Sequence, residues 1–169
     1  MRTDAVRRRW DDRAGEDARY YIKADRRDWT DDDFLASGEG DVATHVDPVL
    51  RLAPSTGRAL DLGCGLGRLS RALARRFDEV AGVDISPEMV ERARAFAPPV
   101  PGNVHYAVCA GDGGLPVPDA TVDLAFSYLV FQHLPDRRAV RRYLVELARV
   151  LRPGGIAQLQ VNGVRRPLS

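Results

Sequence analysis

Arg58-Ala59-Leu60-Asp61-Leu62-Gly63-Cys64-Gly65-Leu66-Gly67-Arg68-Leu69-Ser70-Arg71-Ala72-Leu73 is the stretch around which the chain is organised. It runs from a short apolar strand through a glycine-rich turn into the first turns of a helix, a layout that brings backbone N–H groups up to a ligand with no side chains between. A dinucleotide fingerprint needs G-x-G-x-x-G, but counting from Gly63 gives Gly65 and then Arg68 where the third glycine belongs. The pattern is instead Asp61-x-Gly63-x-Gly65-x-Gly67, with a carboxylate where the strand ends. An acid facing the ligand is a poor neighbour for a pyrophosphate and a good one for a cation.

Downstream, the same alternation of strand and helix repeats. Residues 58–62 form the first strand and Gly67 to Phe77 a crossover helix; Leu66, Leu69, Leu73 and Phe77 share one face, and Arg68, Arg71, Arg75 and Arg76 read as a solvated face. Glu79 to Asp84 is a second buried strand closing on an acid 23 residues after Asp61, the length of one βαβ unit. Asp84 therefore stands at the carboxyl end of the neighbouring strand, where a carboxylate can accept two ribose hydroxyls. Ser86-Pro87 supplies a cap and a first-turn proline for a helix that stops at Pro98-Pro99. Asn103 to Cys109 alternates as a third strand, and Thr121 to Ser127 is the fourth. Asp136 to Leu151 is an amphipathic helix with Val140, Leu144, Leu147 and Leu151 on its buried stripe. The glycines of Arg152-Pro153-Gly154-Gly155 then permit a tight return into a fifth strand, Ile156 to Val161.

Upstream, residues 1–57 form a polar, mostly helical lead-in anchored by Trp10, Tyr20, Tyr21 and Trp29. Thr30-Asp31-Asp32-Asp33 has the shape of a capping box and opens a short helix ended by Gly38; Asp41 caps the next, and Pro48 kinks or restarts it. At 169 residues, 44% hydrophobic and 29% charged, the chain suits one globular domain with a sizeable core. A net charge of +1 removes the electrostatic case for an obligatory nucleic-acid partner. No run of about 18 apolar residues is present to span a membrane. Cys64 and Cys109 suggest neither a disulfide framework nor a metal site, and a reducing cytoplasm is the expected compartment.

Asp61-Leu62-Gly63-Cys64-Gly65-Leu66-Gly67-Arg68 resembles motif I of the class I S-adenosylmethionine-dependent methyltransferases, in particular the type 11-like small-molecule enzymes. Three further stretches resemble later elements of that family: Asp84-Ile85-Ser86-Pro87-Glu88-Met89, Gly111-Asp112 before Leu115-Pro116, and Leu151-Arg152-Pro153-Gly154-Gly155. The resemblance implies a Rossmann-like three-layer α/β/α sandwich with a parallel sheet in the order 3-2-1-4-5. The two C-terminal strands of the seven-stranded family fold find no counterpart after Val161, so a fragment of a longer protein is expected, or a homodimer or swapped segment that covers the open edge. It divides the chain into a lead-in at 1–57 and a cofactor-binding core at 58–169.

By the same resemblance the cofactor is S-adenosylmethionine, whose ammonium and sulfonium suit the acidic turn. Asp61, Gly63, Cys64, Gly65 and Gly67 would hold its methionine portion, Asp84 the ribose, Ile85 and Met89 would flank the nucleoside, and Asp112 and Gly113 would meet the adenine. Ser127 begins the loop where donor and acceptor meet, and His133 on that loop is the candidate general base, or else a packing residue whose ring satisfies a local carbonyl. The lead-in, with Tyr20 and Tyr21, either closes over the cofactor as a lid or packs as a helix pair at the sheet edge. The implied reaction is in-line transfer of a methyl group to an O, N or C nucleophile of a small molecule. An NAD-dependent oxidoreductase, disfavoured by Asp61 and Arg68, and a non-catalytic cofactor-binding module are the alternatives.

Overall fold

The computed structural model describes residues 2–96 and 98–161. Five parallel strands form one sheet, β1 (Arg58–Leu62), β2 (Glu79–Asp84), β3 (Val104–Val108), β4 (Val122–Ser127) and β5 (Leu151–Leu159), in the order β3-β2-β1-β4-β5. The central strands are apolar and buried on both faces, the condition under which a parallel sheet is stable. Helices α4 (Arg68–Leu73) and α5 (Pro87–Ala95) connect β1 to β2 and β2 to β3, and α6 (Arg137–Val150) leads into β5.

Two cores sandwich the sheet. Leu69, Leu73, Val90, Ala93, Leu124 and Phe126 pack on one side together with Val42 and Val46 of the lead-in, and Leu60, Leu62, Val83, Tyr143, Leu147 and Val150 on the other. Successive crossovers thus change face between β1 and β4, and the strand order reverses there. A reversal of this kind leaves a crevice at the carboxyl ends of the strands.

The lead-in consists of α1 (Arg2–Ile22), α2 (Asp31–His45) and the single turn α3 (Asp47–Leu50). Thr30 caps α2 by accepting from Asp33 N at 3.1 Å, and Pro48 stands in the first turn of the restarted helix, as the sequence predicts. Gly38 does not end α2, which runs on to His45. The glycine serves packing instead: a Cβ there would lie 2.4 Å from the Arg68 carbonyl oxygen, so its absence lets α2 approach α4. Asp41 is accordingly no cap; it receives Arg68 at 2.6 Å and Lys23 at 3.1 Å.

Three further expectations shift for reasons of packing. Arg68 and Arg71 are buried, not solvated: Arg71 satisfies the Phe96, Pro98 and Pro99 carbonyls beyond the end of α5. The buried stripe of α6 is Ala139, Tyr143, Leu147 and Val150, a rotation that leaves Leu144 exposed. β5 begins at Leu151, its register with β4 shifting between Val122 and Leu124 rather than restarting after Gly155. β5 pairs with β4 alone among the described residues. No helix among them is long and apolar enough to cross a membrane.

Candidate functional site

At the reversal point a cavity opens whose floor is the carboxyl end of β1 and β2. Gly63, Gly65, Asp84, Ile85, Met89 and His133, all singled out in the sequence, line it together. Gly63 and Gly65 hold φ of +81° and +52°, a backbone region that favours glycine, and neither has room for a side chain. A Cβ at Gly63 would meet Val130 at 2.3 Å, and one at Gly65 would meet Ile22 at 2.7 Å.

Asp84 is the anchor of the floor. Its Oδ2 accepts from Gly65 N at 2.9 Å and its Oδ1 from Ser86 N at 2.9 Å, so the carboxylate fixes the glycine turn to the start of α5. Each oxygen keeps a further lone pair for a ligand hydroxyl. Burial pushes the Asp84 carboxyl above its usual range, with the hydrogen bonds from Ser86 and Gly65 opposing.

Asp61 lies beneath the turn rather than on the cavity wall. It is fully buried, and its Oδ2 accepts from Ser70 Oγ at 2.6 Å while Oδ1 has no partner. Burial pushes its carboxyl up to about 6, against the pull of the Ser70 hydrogen bond and of Arg68. A buried oxygen with no donor is a costly group unless something positive approaches it.

The remaining sequence candidates lie off the cavity lining. Cys64 is buried in the core under the turn, with its thiol pushed well up by burial. Gly67, at φ +80°, lets Tyr106 close on α4, since a Cβ would stand 2.0 Å from the phenol oxygen. Ser127 Oγ donates to the Leu62 carbonyl at 2.9 Å, stitching β4 to β1. Asp112 is exposed, its Oδ1 closing a turn on Gly114 N at 2.9 Å, and Gly113 packs against Arg142. The chain bends at Gly111 (φ +75°) and brings Cys109 and Gly111, not Asp112 and Gly113, to the cavity.

The roof was hardest to read from sequence. Thr3, Val6, Trp10, Tyr21 and Ile22 of α1 line the cavity, the first three spaced three and four residues apart on one helical face, a pattern available in the sequence. Polar bonds strap α1 down: Asp11 accepts from Ser86 Oγ at 2.5 Å, and Arg7 donates to the Ile85 and Ala110 carbonyls at 3.2 and 3.0 Å. A non-helical residue, Asp17 (φ −156°, ψ 80°), divides α1 in two.

Opposite, the loop after β4 contributes Tyr128, Leu129 and Val130, then a 3-10 turn, Phe131–His133. Leu129 adopts φ +62° and its N–H is held at 3.0 Å by Gln160 Oε1 of the chain beyond β5. His133 stands edge-on to Trp10 at 5.2 Å between ring centroids. Loss of hydration, then Arg13 and Arg9, holds its imidazole below the usual histidine range, so it is neutral and able to accept a proton at pH 7.

An open parallel sheet with a glycine turn and a strand-end acid at its switch point defines a nucleotide-type cofactor-binding α/β protein. The particular family follows from comparison: the family described as "Methyltransferase domain" matches residues 60–159, and the chain belongs to it. The chain is 38% identical over 107 residues to 2-methyl-6-phytyl-1,4-hydroquinone methyltransferase of Synechocystis, covering 62% of this chain and 31% of that protein. It is 33% identical over 125 residues to ubiquinone biosynthesis O-methyltransferase of Xylella fastidiosa, covering 73% and 49%. Phosphoethanolamine N-methyltransferase 1 of Haemonchus contortus, solved with phosphoethanolamine and S-adenosylhomocysteine, shares the fold at a TM-score of 0.70 and 22% identity, over 89% of this chain and 30% of that one. The chain spans about a third to a half of the length of these curated relatives.

Proposed function

We propose that the cavity binds S-adenosylmethionine and that the protein of which this chain forms the core transfers its methyl group to an O, N or C nucleophile of a small molecule. The observation that carries this reading is the floor of the cavity, where two side-chain-free glycines and the Asp84 carboxylate converge above the buried, half-satisfied Asp61. Two acids at the turn disfavour a diphosphate and favour a cationic ligand. Gly63 and Gly65 would admit the methionine portion once Val130 and Ile22 move aside, Asp84 would take ribose hydroxyls on its free lone pairs, and Ile85 and Met89 supply apolar contact for the nucleoside. The cofactor, when bound, supplies an electrophilic methyl carbon on a sulfonium.

The chain's own residues position, dry and deprotonate. α1 and the loop after β4 exclude water above the cavity, which strengthens every charge interaction inside it. Gln132 Nε2 donates to His133 Nε2 at 3.2 Å and orients the ring; an acceptor hydroxyl or amine would displace that amide to hand its proton to the same lone pair of the neutral imidazole. The acceptor is read as a small molecule because the names of the similar enzymes, a phytyl-hydroquinone methyltransferase among them, point to small-molecule acceptors. The free, buried Cys64 and Cys109 suit a reducing, cytoplasmic compartment. A partner copy or a further segment of chain against the side of β5 that no described residue pairs would complete the sheet edge.

Incubation with methyl-tritiated S-adenosylmethionine and fractionated small-molecule extract tests the reading. Tritium moving into a small-molecule fraction is the expected result. Cofactor binding without transfer, in this chain and in longer natural forms alike, would make it a binding module instead.

A further inference from the structure

At the His133 end of the cavity a guanidinium is stacked on the aromatic wall. Arg13 lies with its guanidinium carbon 4.7 Å from the Trp10 ring centroid and 4.9 Å from that of Tyr21, held over two rings that both line the cavity. Trp10 in turn meets His133. No acid pairs with Arg13 or Arg9 among the described residues. Of the acids of α1, Asp11 accepts from Ser86 Oγ and Asp17 from Tyr20 N at 3.2 Å, while Glu16 accepts from the Tyr21 hydroxyl at 3.0 Å and keeps its charge at the far side of that ring. Cation–π contact fixes the guanidinium plane without consuming its N–H donors.

On the functional reading above, the same cavity also takes a cationic cofactor. Asp84 faces that cofactor at the floor with Asp61 buried beneath, and the guanidinium of Arg13 stands instead by the rings at the His133 end, where an anion arriving with the acceptor would meet it. A planar oxyanion is the group that a pre-oriented guanidinium binds best, through two parallel N–H···O bonds.

We propose that Arg13 is a specificity residue that binds an oxyanion of the methyl acceptor, so that the acceptors are small aromatic or apolar molecules bearing a carboxylate or phosphate close to the nucleophile that His133 serves. The anion neutralises the acceptor end, and the aromatic walls formed by Trp10 and Tyr21 take the body of the molecule. Arg9, one turn earlier on the same face, adds a second positive charge.

The test uses the whole chain saturated with S-adenosylhomocysteine, with saturation checked first by calorimetry. Benzoate, phenyl phosphate and benzamide are then titrated while the Trp10 indole N–H and His133 ring resonances are followed by NMR. At least one anion should shift both sets with a half-saturation about tenfold below that of benzamide, the discrimination of a charge-assisted hydrogen bond. Which anion wins identifies carboxylate or phosphate. Arg13→Gln should bring the anions level with benzamide, and Arg13→Lys should retain part of the preference, a rescue that a merely structural role does not give. Equal binding of all three probes, no shift from either anion, or a preference that survives Arg13→Gln overturns the proposal while leaving the cofactor reading intact. A failure of S-adenosylhomocysteine to bind overturns both.

Discussion

Asp61→Asn separates the cost of the buried acid from its use. Its carboxyl stands near 6 in the folded chain against 3.8 for the ordinary group. At pH 7.5 the native state therefore holds a carboxylate it disfavours by about 3 kcal/mol, at 1.36 kcal/mol for each pH unit of displacement. The sign follows from the direction of the shift. A raised carboxyl contributes stability that is complete below 3.8 and lost as pH rises through 6, because only there does the folded state hold a proton the unfolded state has released. Asparagine keeps an acceptor for Ser70 but places an amide N–H₂ where Oδ1 now lies unpartnered, a penalty of about 1–2 kcal/mol at any pH. The net expectation at pH 7.5 is a variant about 1–2 kcal/mol more stable than the parent. Between pH 7.5 and pH 4.5 the difference should fall by about 2 kcal/mol and change sign or vanish. Urea unfolding of both chains at the two pH values measures it, and calorimetry at pH 7.5 should show weaker binding of S-adenosylhomocysteine by the variant. A variant whose stability relative to the parent does not depend on pH would refute the argument from burial.

Gly38→Ala should destabilise the chain by about 2–3 kcal/mol in chemical denaturation despite the better helix propensity of alanine, because the new Cβ meets the Arg68 carbonyl; a neutral or stabilising result would mean that α2 does not pack on α4 as described. Arg68→Ala removes a buried partner of Asp41 and should cost about 3 kcal/mol, whereas Lys23→Ala, at the more exposed partner, should cost under about 1 kcal/mol. His133 titrates below the usual histidine range, so methyl transfer should rise with pH through a midpoint under 6.5 and then level off. His133→Ala should abolish that limb and leave S-adenosylhomocysteine affinity within about twofold; a lost fold would mark the ring as structural.

The sheet was legible because its signals are local. The Leu60–Gly67 turn, the acid ending β2 and the Ser86-Pro87 cap each fix backbone geometry through their own chemistry, and the order β3-β2-β1-β4-β5 follows once crossovers are right-handed. What escaped depends on distant contacts. Gly38 reads as a helix stop until the Arg68 backbone is seen against it, and the arginines of α4 read as surface until Asp41 and the carbonyls beyond α5 are brought to them. Asp112 lies off the cavity lining because the preceding Gly111 turns the loop and an Asx turn holds the carboxylate on Gly114 N. The roof residues of α1 share a helical face, but no local rule says which crevice that face covers. Asp61 reads from sequence as facing the ligand, and only the packed turn above it shows that it is buried behind the cavity wall.

The central claim is that a cavity floored by Gly63, Gly65 and Asp84 takes a cationic methyl donor and not a phosphate-bearing coenzyme. Isothermal titration of the chain with S-adenosylmethionine and, separately, with NADH tests it most directly. Saturable one-to-one binding of S-adenosylmethionine with no heat from NADH is the predicted result; binding of NADH alone would contradict it.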